Sequence, residues 1–330
     1  AAMVEDAIWW LDEFNLDGLR VDAVKHVEES AVRNLSVEVR ETFEQAGTKY
    51  FMMGETAMGW SDCADPCNDQ NYDTIAKYIG PYGLDGQFDF VLYHAAAYNT
   101  FAYDDRSLQH ADYWTNHGLA RWPAEAIMTP YIGSHDTARF ASLADYRGQD
   151  AAHERGVPFN QWDNIATEPT DAAPYERMRV AMAWLLTLPG APLLYYGDEY
   201  GQYGGVDPNN RLMMLEEAAL NPWQSETLDF VRAIGTLRQE LPALRRGDYV
   251  SLGGTDDALV FARAIDAAAL AIVGINRTAN SVTVDVPVIA LGLEAGATLT
   301  DALGGASATV SSGGDLSVTI PAHGAAVFTP

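Results

Sequence analysis

The sequence predicts an α/β fold, a parallel barrel with an active site at one rim, followed by a small all-β domain. Three short apolar runs, each followed by a carboxylate, predict the barrel; the acids are Asp22, Glu55 and Asp136. Because the carboxyl ends of parallel strands meet at one rim of a barrel, three acids delivered there indicate an active site. From residue 248 onward the hydrophobic pattern changes to a period of two, which is typical of antiparallel strands.

Helices flank the first strand. Residues 1–14 carry apolar side chains at helical spacing, so the chain is predicted to open in a helix. A second helix is predicted over residues 27–46, whose apolar side chains lie four apart and which Gly47 is placed to end. Between them, the stretch LDGLRVDAVKH at 16–26 begins with an Asp-Gly turn and continues as a short strand rich in Leu and Val.

That first strand contains two charged residues, Arg20 and Asp22. A cation and an acid are costly to bury unless each has a partner or a role. An Arg–Asp pair on a half-exposed edge strand is the plainer interpretation. Two further runs favour a functional one, because FMMGET delivers Glu55 and YIGSHDT delivers Asp136.

Strands and helices alternate through the remainder of the barrel region. Apolar runs bounded by Gly, Pro and polar residues indicate the strands, and helical spacing indicates the helices. The predicted elements are strands at 86–93, 126–134 and 191–196, a polar loop at 145–173, a helix at 175–188, and a last helix with its N-cap at Ser225.

Residues 248–330 read as a small antiparallel β-sandwich, because Val, Leu and Ile alternate with polar residues between Gly and Asn turns. We therefore expect two domains, 1–247 and 248–330. The first yields about five barrel strands, whereas a closed barrel needs about eight.

The charge of the chain restricts its partners. Twenty basic residues face 46 acidic ones, for a formal charge of −26. Such a surface repels nucleic acid and anionic membranes, so neither is an expected partner, whereas a neutral polysaccharide is indifferent to it. No apolar run is long enough to span a bilayer, and the first residues lack the basic and apolar regions of a signal peptide.

Cysteine occurs at two positions in one short loop, Cys63 and Cys67. A disulfide there would imply an oxidising compartment, and two reduced thiols are an equally weighted alternative. No His lies nearby, which argues against zinc. An extracellular or periplasmic location is the expectation.

Four segments resemble the signature segments of one enzyme family. They are GLRVDAVKH, MGET, SHDT and APLLYYGDEYG. In this order and at these separations they are similar to segments of the α-amylase family, glycoside hydrolase family 13. Any one of them would be a weak signal, whereas the ordered set is specific. The resemblance implies a (β/α)8 TIM-type barrel with a C-terminal antiparallel β-sandwich, and an endo-acting α-amylase that hydrolyses α-1,4-glucan.

The resemblance assigns the three acids to a retaining mechanism, in which two carboxylates about 5–5.5 Å apart flank the anomeric carbon. Asp22 would be the nucleophile, kept ionised by Arg20, which lies two residues earlier on the same side of the strand. Glu55 would be the general acid and base, held protonated near neutral pH by the neighbouring negative charges and a closed site. Asp136 would hold sugar hydroxyls and favour the oxocarbenium-like transition state.

The resemblance also assigns residues to substrate binding. His135 would contact the same sugar as its neighbouring acid, and Lys25 and His26 would line the leaving-group side. Asp207 and Arg211 would contact sugar on the non-reducing side, with a surface salt bridge as an equally weighted alternative. Many family members hold calcium near the position of His26, so calcium is the one cofactor considered; no metal ligand is assigned, and no organic cofactor is expected.

Mapped onto the family, the chain carries only strands 4–8 of the barrel. It has no match to the family's first signature segment, which supplies an Asp and a His to the sugar site. An open sheet would expose long edges and an apolar face. We therefore expect a missing N-terminal segment or a partner chain to supply strands 1–3, with a second copy of this chain as the alternative cover.

Two other functions compete with an α-amylase. An α-glucan transglycosylase or a neopullulanase-like enzyme would share the three acids and differ in its acceptor loops. A non-catalytic or incomplete member of the fold would serve as an interaction subunit. Such members usually lose at least one of the acids, and all three are present here, which favours an enzyme or a piece of one.

Overall fold

The computed structural model describes residues 2–44, 47–63, 65–146, 162 and 164–330. For residues 65 and 66 it describes the backbone alone. The polar loop predicted at 145–173 lies mostly outside these ranges. The chain divides into two units, the first comprising residues 1–92 and 117–130 and the second residues 93–116 and 131–330.

The first unit is built around three short parallel strands that pair in chain order. The strands are β1 (Gly18–Val21), β2 (Phe51–Gly54) and β3 (Gly86–Gln87). The helices are α1 (Ala2–Glu13), α2 (Glu29–Phe43) and α3 (Asp69–Ala76), and the first two agree with the predicted helices. Because parallel strands need a crossover, the residues that follow β1 and β2 leave the sheet at the same edge. Its buried core contains Leu11, Val24, Val32, Val39, Met52, Tyr78 and Leu84.

The strand predicted over residues 86–93 is confirmed at Gly86–Gln87 and continues as a single bridge at Phe88, and it is wrong from Phe90 onward. The chain instead turns into the short helix α4 (Phe90–Leu92), which continues as a π-helix over Tyr93–Ala102. The cause is Asp89, whose carboxylate accepts a hydrogen bond from the Leu92 N–H at 3.0 Å. An Asp that satisfies a backbone donor three residues ahead favours a helix start over an extended strand.

The second unit contains the remaining long helices. They are α5 (Leu108–Arg121, whose last residues belong to the first unit), α6 (Phe140–Tyr146), α7 (Ala173–Thr187), α8 (Pro222–Glu240) and α9 (Pro242–Arg246). Helix α7 is buried along nearly its whole length and confirms the helix predicted at 175–188. No helix in the described ranges is both long and apolar enough to cross a membrane.

The strands predicted at 126–134 and 191–196 are reduced to isolated parallel bridges. Thr129 pairs with Phe88 in the first unit, and Tyr131 pairs with Leu193 in the second. Both predicted strands contain a proline, Pro130 and Pro192, and proline cannot donate to a ladder. Extended backbone is therefore present, while regular pairing is interrupted.

The N-cap of α8 is Asn221, so the prediction of Ser225 was wrong. The Asn221 side chain accepts the Gln224 N–H at 2.9 Å, and the Gln224 side chain accepts the Asn221 N–H at 3.0 Å. Pro222 occupies the first helical position, where its fixed φ suits a helix and its missing N–H costs nothing. This reciprocal cap starts the helix earlier than the sequence pattern indicated.

The C-terminal part of the second unit consists of antiparallel strands. They are β4 (Asp248–Gly254), β5 (Ala258–Ala264), β6 (Leu270–Asn276), β7 (Val282–Pro287), β8 (Thr298–Asp301), β9 (Ser307–Thr309), β10 (Asp315–Ile320) and β11 (Gly324–Thr329). Six form a sheet in the order β4-β5-β6-β11-β8-β9, and β7 pairs with β10. Alternate residues of both sheets share one buried core, including Val260, Ile272, Val286 and Val318. The antiparallel β prediction is confirmed, and the exact boundary at residue 247 stays a prediction.

Candidate active site

In the first unit, Arg20 joins the first two predicted acids. Its Nη1 donates to Asp22 Oδ1, and its Nη2 donates to Glu55 Oε2 at 3.0 Å. Both bonds are charge-assisted, and each uses a different nitrogen of one planar guanidinium. The two carboxyl groups, 33 residues apart in the chain, therefore meet on a single cation at the carboxyl ends of β1 and β2.

The backbone fixes Glu55 against the end of β1. Its N–H donates to the Val21 carbonyl at 2.9 Å, and its carbonyl accepts the Val24 N–H at 2.7 Å. Ala23 has a left-handed conformation, with φ of 46°, which turns its N–H onto Glu55 Oε2 at 3.1 Å. A non-glycine residue in this region is strained by roughly 1–2 kcal/mol. The strain occurs directly after Asp22, as is common at functional sites.

The side chains of the two acids differ in solvent exposure. The Asp22 side chain is 70% exposed, whereas the Glu55 side chain is 14% exposed. The candidate proton donor is therefore the more sheltered of the two carboxyl groups, and the roles of both stay predictions.

Lys25 and His26 lie in the short 3₁₀-helix Val24–His26 that follows Asp22, and both are exposed. The Lys25 ammonium donates to the Ala57 carbonyl at 2.5 Å, which ties this turn to the chain just after Glu55. Within the described residues, no group of three or more His, Cys, Asp or Glu side chains could hold a metal ion. Calcium near His26 therefore stays a prediction, and we assign it no chemical step.

The loop that follows Glu55 contains the two cysteines. Cys63 and Cys67 form a disulfide, the first of the two alternatives that the sequence left open. The adjacent Asn68 side chain is buried and holds the backbone of Ser61 by two hydrogen bonds of 2.9 Å. The base of this loop is thus closed covalently and by hydrogen bonds.

In the second unit, the third predicted acid has two basic neighbours. His135 Nε2 lies 3.1 Å from one Asp136 oxygen, and Arg211 Nη2 lies 3.8 Å from the other. Arg211 Nε also donates to Asp207 Oδ1 at 2.7 Å. All four side chains are between 42% and 49% exposed, so the cluster is open to a ligand. The Asp207–Arg211 salt bridge, one of the two alternatives for this pair, is present. The guanidinium of Arg211 also lies near Asp136.

Sequence reasoning missed the buried residues that support this cluster. Arg139 forms an ion pair with Asp198 at 3.0 Å, both side chains being 1% exposed. Burial raises the pKa of Asp198 to about 6, with Arg139 opposing the shift. Arg139 also donates to the carbonyls of Tyr196 and Asn210, at 2.5 and 2.8 Å. A cation three residues after Asp136 was the available signal, and nothing in the pattern indicated its burial.

The predicted residues thus form two groups. Arg20, Asp22 and Glu55 lie together in the first unit, with Lys25 and His26 beside them in the chain. A second cluster lies in the second unit and consists of His135, Asp136, Asp207 and Arg211. That all three acids act on one sugar stays a prediction.

Comparison with known proteins identifies relatives over nearly the whole chain. The family model "Alpha amylase, catalytic domain" matches residues 1–233. The crystal structure of an Anoxybacillus α-amylase superposes on 99% of this chain and 61% of its own, with a TM-score of 0.77 and 27% identity. A cyclomaltodextrinase of Geobacillus thermopakistaniensis is 25% identical over 294 residues, 88% of this chain and 42% of the relative. A cyclomaltodextrin glucanotransferase of Klebsiella oxytoca is 24% identical over 304 residues, 86% and 42% of the respective chains. The chain therefore spans less than half the length of these two relatives.

Proposed function

The chain belongs to the α-amylase family, glycoside hydrolase family 13, and has the family's TIM-barrel fold with a C-terminal antiparallel β domain; from this membership we propose that it hydrolyses α-1,4-glucosidic bonds of starch-like glucans with retention of configuration. Membership of this family supports a glycoside hydrolase. The bond, the substrate and the stereochemistry are the proposal. One observation above all supports Asp22 and Glu55 as the reacting pair: a single guanidinium holds them together at the ends of adjacent parallel strands.

The proposed reaction has two steps. Asp22 attacks the anomeric carbon while the bond to the leaving sugar breaks, and Glu55 gives its proton to the departing oxygen. A covalent glycosyl ester on Asp22 results. Glu55, now ionised, then takes a proton from water as the water attacks the same carbon, which releases the sugar and restores both carboxyl groups.

Arg20 would act in both steps. Its charge stabilises ionised Asp22 before attack and again when the ester is hydrolysed. The second guanidinium nitrogen, together with the Ala23 N–H, would hold Glu55 in one orientation, so that its free oxygen faces the leaving group. Two fixed donors on one oxygen of a proton-transferring carboxyl group restrict it to productive geometries.

We assign substrate binding to the exposed residues. Asp136 and His135 would hold hydroxyls of the sugar under attack, and Arg211 with Asp207 would contact the glucan on its non-reducing side. Their open cluster of alternating charge suits a ligand rich in hydroxyl groups, which both donate and accept. Lys25 and His26 would line the leaving-group side.

Transglycosylase and neopullulanase-like activities have equal support from the relatives, whose names are cyclomaltodextrinase and cyclomaltodextrin glucanotransferase. These alternatives keep Asp22 and Glu55 in the same roles and replace water by a sugar hydroxyl, or accept cyclic substrates. Product analysis separates transfer from hydrolysis, because hydrolysis yields reducing ends in proportion to cleaved bonds, whereas transfer yields longer or cyclic glucans without a matching increase. Comparing rates on soluble starch, pullulan and a cyclic maltodextrin separates the hydrolases from one another.

The direct test is release of reducing sugar from soluble starch. Asp22→Asn and Glu55→Gln should each lower the rate by about a thousandfold or more, because each removes a group that reacts with substrate. Glu294→Gln, at an exposed acid of the C-terminal β region, is the matched control and should retain full activity. Starch cleavage that survives Asp22→Asn would overturn the nucleophile assignment.

We further propose that another polypeptide segment, corresponding to strands 1–3 of the family barrel, packs against β1 and α1. Within the described residues, β1 pairs on one side only. Three aromatic side chains of this region, Trp9, Trp10 and Phe14, are 46–54% exposed and contact one another. Such an apolar patch beside an open strand edge is typical of a surface that another chain segment covers.

Size analysis of the purified chain tests this segment. A polypeptide that remains bound, or self-association through the patch that Trp10→Lys abolishes, would support a covered surface. A monodisperse monomer without any bound polypeptide would contradict it. The disulfide supports an oxidising compartment, so we retain an extracellular or periplasmic location as part of the proposal.

A further inference from the structure

The turn that presents His135 and Asp136 is held by a residue from another loop. Asn210 is fully buried, and its Nδ2 donates to the carbonyl oxygens of His135 at 2.8 Å and Thr137 at 2.7 Å. The Ser134 carbonyl lies at 3.4 Å from the same nitrogen. One amide group therefore lies close to three carbonyls of the turn at residues 134–137, and it binds two of them at short distance.

The turn also has contacts of its own. The Ser134 N–H donates to Thr137 Oγ1 at 2.9 Å, while the Thr137 N–H reaches the Ser134 carbonyl at 3.4 Å and the Asp136 N–H reaches the Ser134 hydroxyl at 3.2 Å. In the described residues the nearest strand pairing is the single bridge at Tyr131. Asn210 thus supplies the two shortest of these hydrogen bonds, and it fixes the turn to another loop.

Asn210 also belongs to the loop that contains Asp207 and Arg211. It immediately precedes Arg211, whose guanidinium bonds Asp207 and approaches Asp136. Its own carbonyl accepts a hydrogen bond from Arg139 Nε at 2.8 Å, which fixes this position to the buried ion pair. One side chain thus connects the loop of Asp136 to the loop of Arg211.

The chemistry of an amide is required at this position. Three carbonyl oxygens face the side-chain nitrogen, so the opposite orientation would set oxygen against oxygen. An aspartate has the same shape and no donor, and its charge would repel all three carbonyls. Substitution by Asp therefore removes the connection while conserving volume.

We propose that Asn210 is a positioning residue, which sets the distance between Asp136 and Arg211 and thereby how the two side chains together hold the glucan. The inference rests on the proposed function for its role in catalysis and on the contacts of Asn210 alone for its role in the turn. A misplacement of about 1 Å can cost on the order of a hundredfold in rate. Asn210→Asp should accordingly lower kcat/KM by tenfold or more.

Asn276 offers a matched control. It is also fully buried, and its Nδ2 donates to two backbone carbonyls, those of Asn280 at 2.8 Å and Pro321 at 3.0 Å. Asn276→Asp removes equivalent hydrogen bonds in the C-terminal β region. It should lower thermal stability to a similar extent and leave kcat and KM within twofold of the wild type.

Two measurements, each made on wild type, Asn210→Asp and Asn276→Asp, test the proposal. The first is steady-state hydrolysis of maltooligosaccharides, with kcat and KM determined separately. The second is hydrogen–deuterium exchange of peptides covering residues 133–138, which should be faster only in Asn210→Asp. Unchanged exchange there, or equal kinetic losses in both variants, would overturn the inference. A wild type that has no hydrolytic activity when the segment corresponding to strands 1–3 is present would refute the proposed function instead, and the exchange result would still decide the role of Asn210 in the turn.

Discussion

A buried carboxyl group makes the stability of the first unit depend on pH, and one substitution should remove that dependence. Asp89 lies between β3 and α4, where its carboxylate accepts hydrogen bonds from the Leu92 N–H and from Trp122 Nε1 at 3.0 and 3.3 Å. Burial raises the pKa of Asp89 from 3.8 to about 6, against the opposing effect of these two donors. Asp89→Asn removes the ionisation and keeps the shape.

The direction in which stability changes with pH follows from the number of protons that the folded and unfolded states bind. Between pH 3.8 and about 6 the folded state holds a proton on Asp89 that the unfolded state has released, so stability falls as pH rises through this window and is constant above it. Raising the pKa from 3.8 to about 6 corresponds to roughly 3 kcal/mol. Asparagine avoids that cost, and its amide nitrogen no longer accepts from Trp122, a loss of about 1 kcal/mol.

Asp89→Asn should therefore stabilise the protein by about 2 kcal/mol at pH 8 and destabilise it by about 1 kcal/mol at pH 3.5. Urea unfolding of both proteins, followed by far-ultraviolet circular dichroism at the two pH values, measures the difference. Asp12→Asn, at an exposed position, is the control and should give the same small effect at both. An Asp89→Asn effect of one sign and size at both pH values would refute the reasoning.

Two further substitutions test the geometry of the first unit, and a third, in the second unit, serves as a control. Arg20→Lys should lower kcat/KM by roughly ten- to a hundredfold, because one ammonium cannot span both carboxylates as the guanidinium does; unchanged kinetics with Lys would show that only the charge matters. Gly86→Ala should cost about 1–3 kcal/mol in urea unfolding, since a Cβ there would overlap the Ile127 carbonyl oxygen. Gly235 lies on α8 with open space around it, so Gly235→Ala should instead stabilise the protein by about 0.5–1 kcal/mol. Equal effects of Gly86→Ala and Gly235→Ala would contradict the argument that a Cβ at position 86 overlaps the Ile127 carbonyl.

Patterns of local origin were predictable from the sequence. Helices α1, α2 and α7 follow from apolar spacing, and the C-terminal strands follow from alternation, because one buried face imposes each period. The pairing of Arg20 with Asp22 was expected from their common side of the strand. Its extension to Glu55 requires the parallel register of β1 and β2, which only the fold supplies.

Features that depend on competing local contacts were not predictable. The strand at 86–93 fails because Asp89 captures a backbone donor, and Ser225 is displaced as N-cap by the reciprocal bonds of Asn221 and Gln224. Asn210 was invisible in the sequence for a different reason. Its partners are backbone carbonyls more than 70 residues away, and a backbone partner leaves no mark on the residue type.

The most direct test of the central claim is to locate the covalent intermediate. A maltosyl fluoride needs no acid to depart, so the Glu55→Gln variant should form the glycosyl ester and hydrolyse it slowly. Proteolysis and mass spectrometry should then find the added maltosyl group on the peptide that contains Asp22. Label on any other carboxylate, or no label although wild type consumes the same donor, would contradict the assignment of Asp22 and Glu55 as the reacting pair.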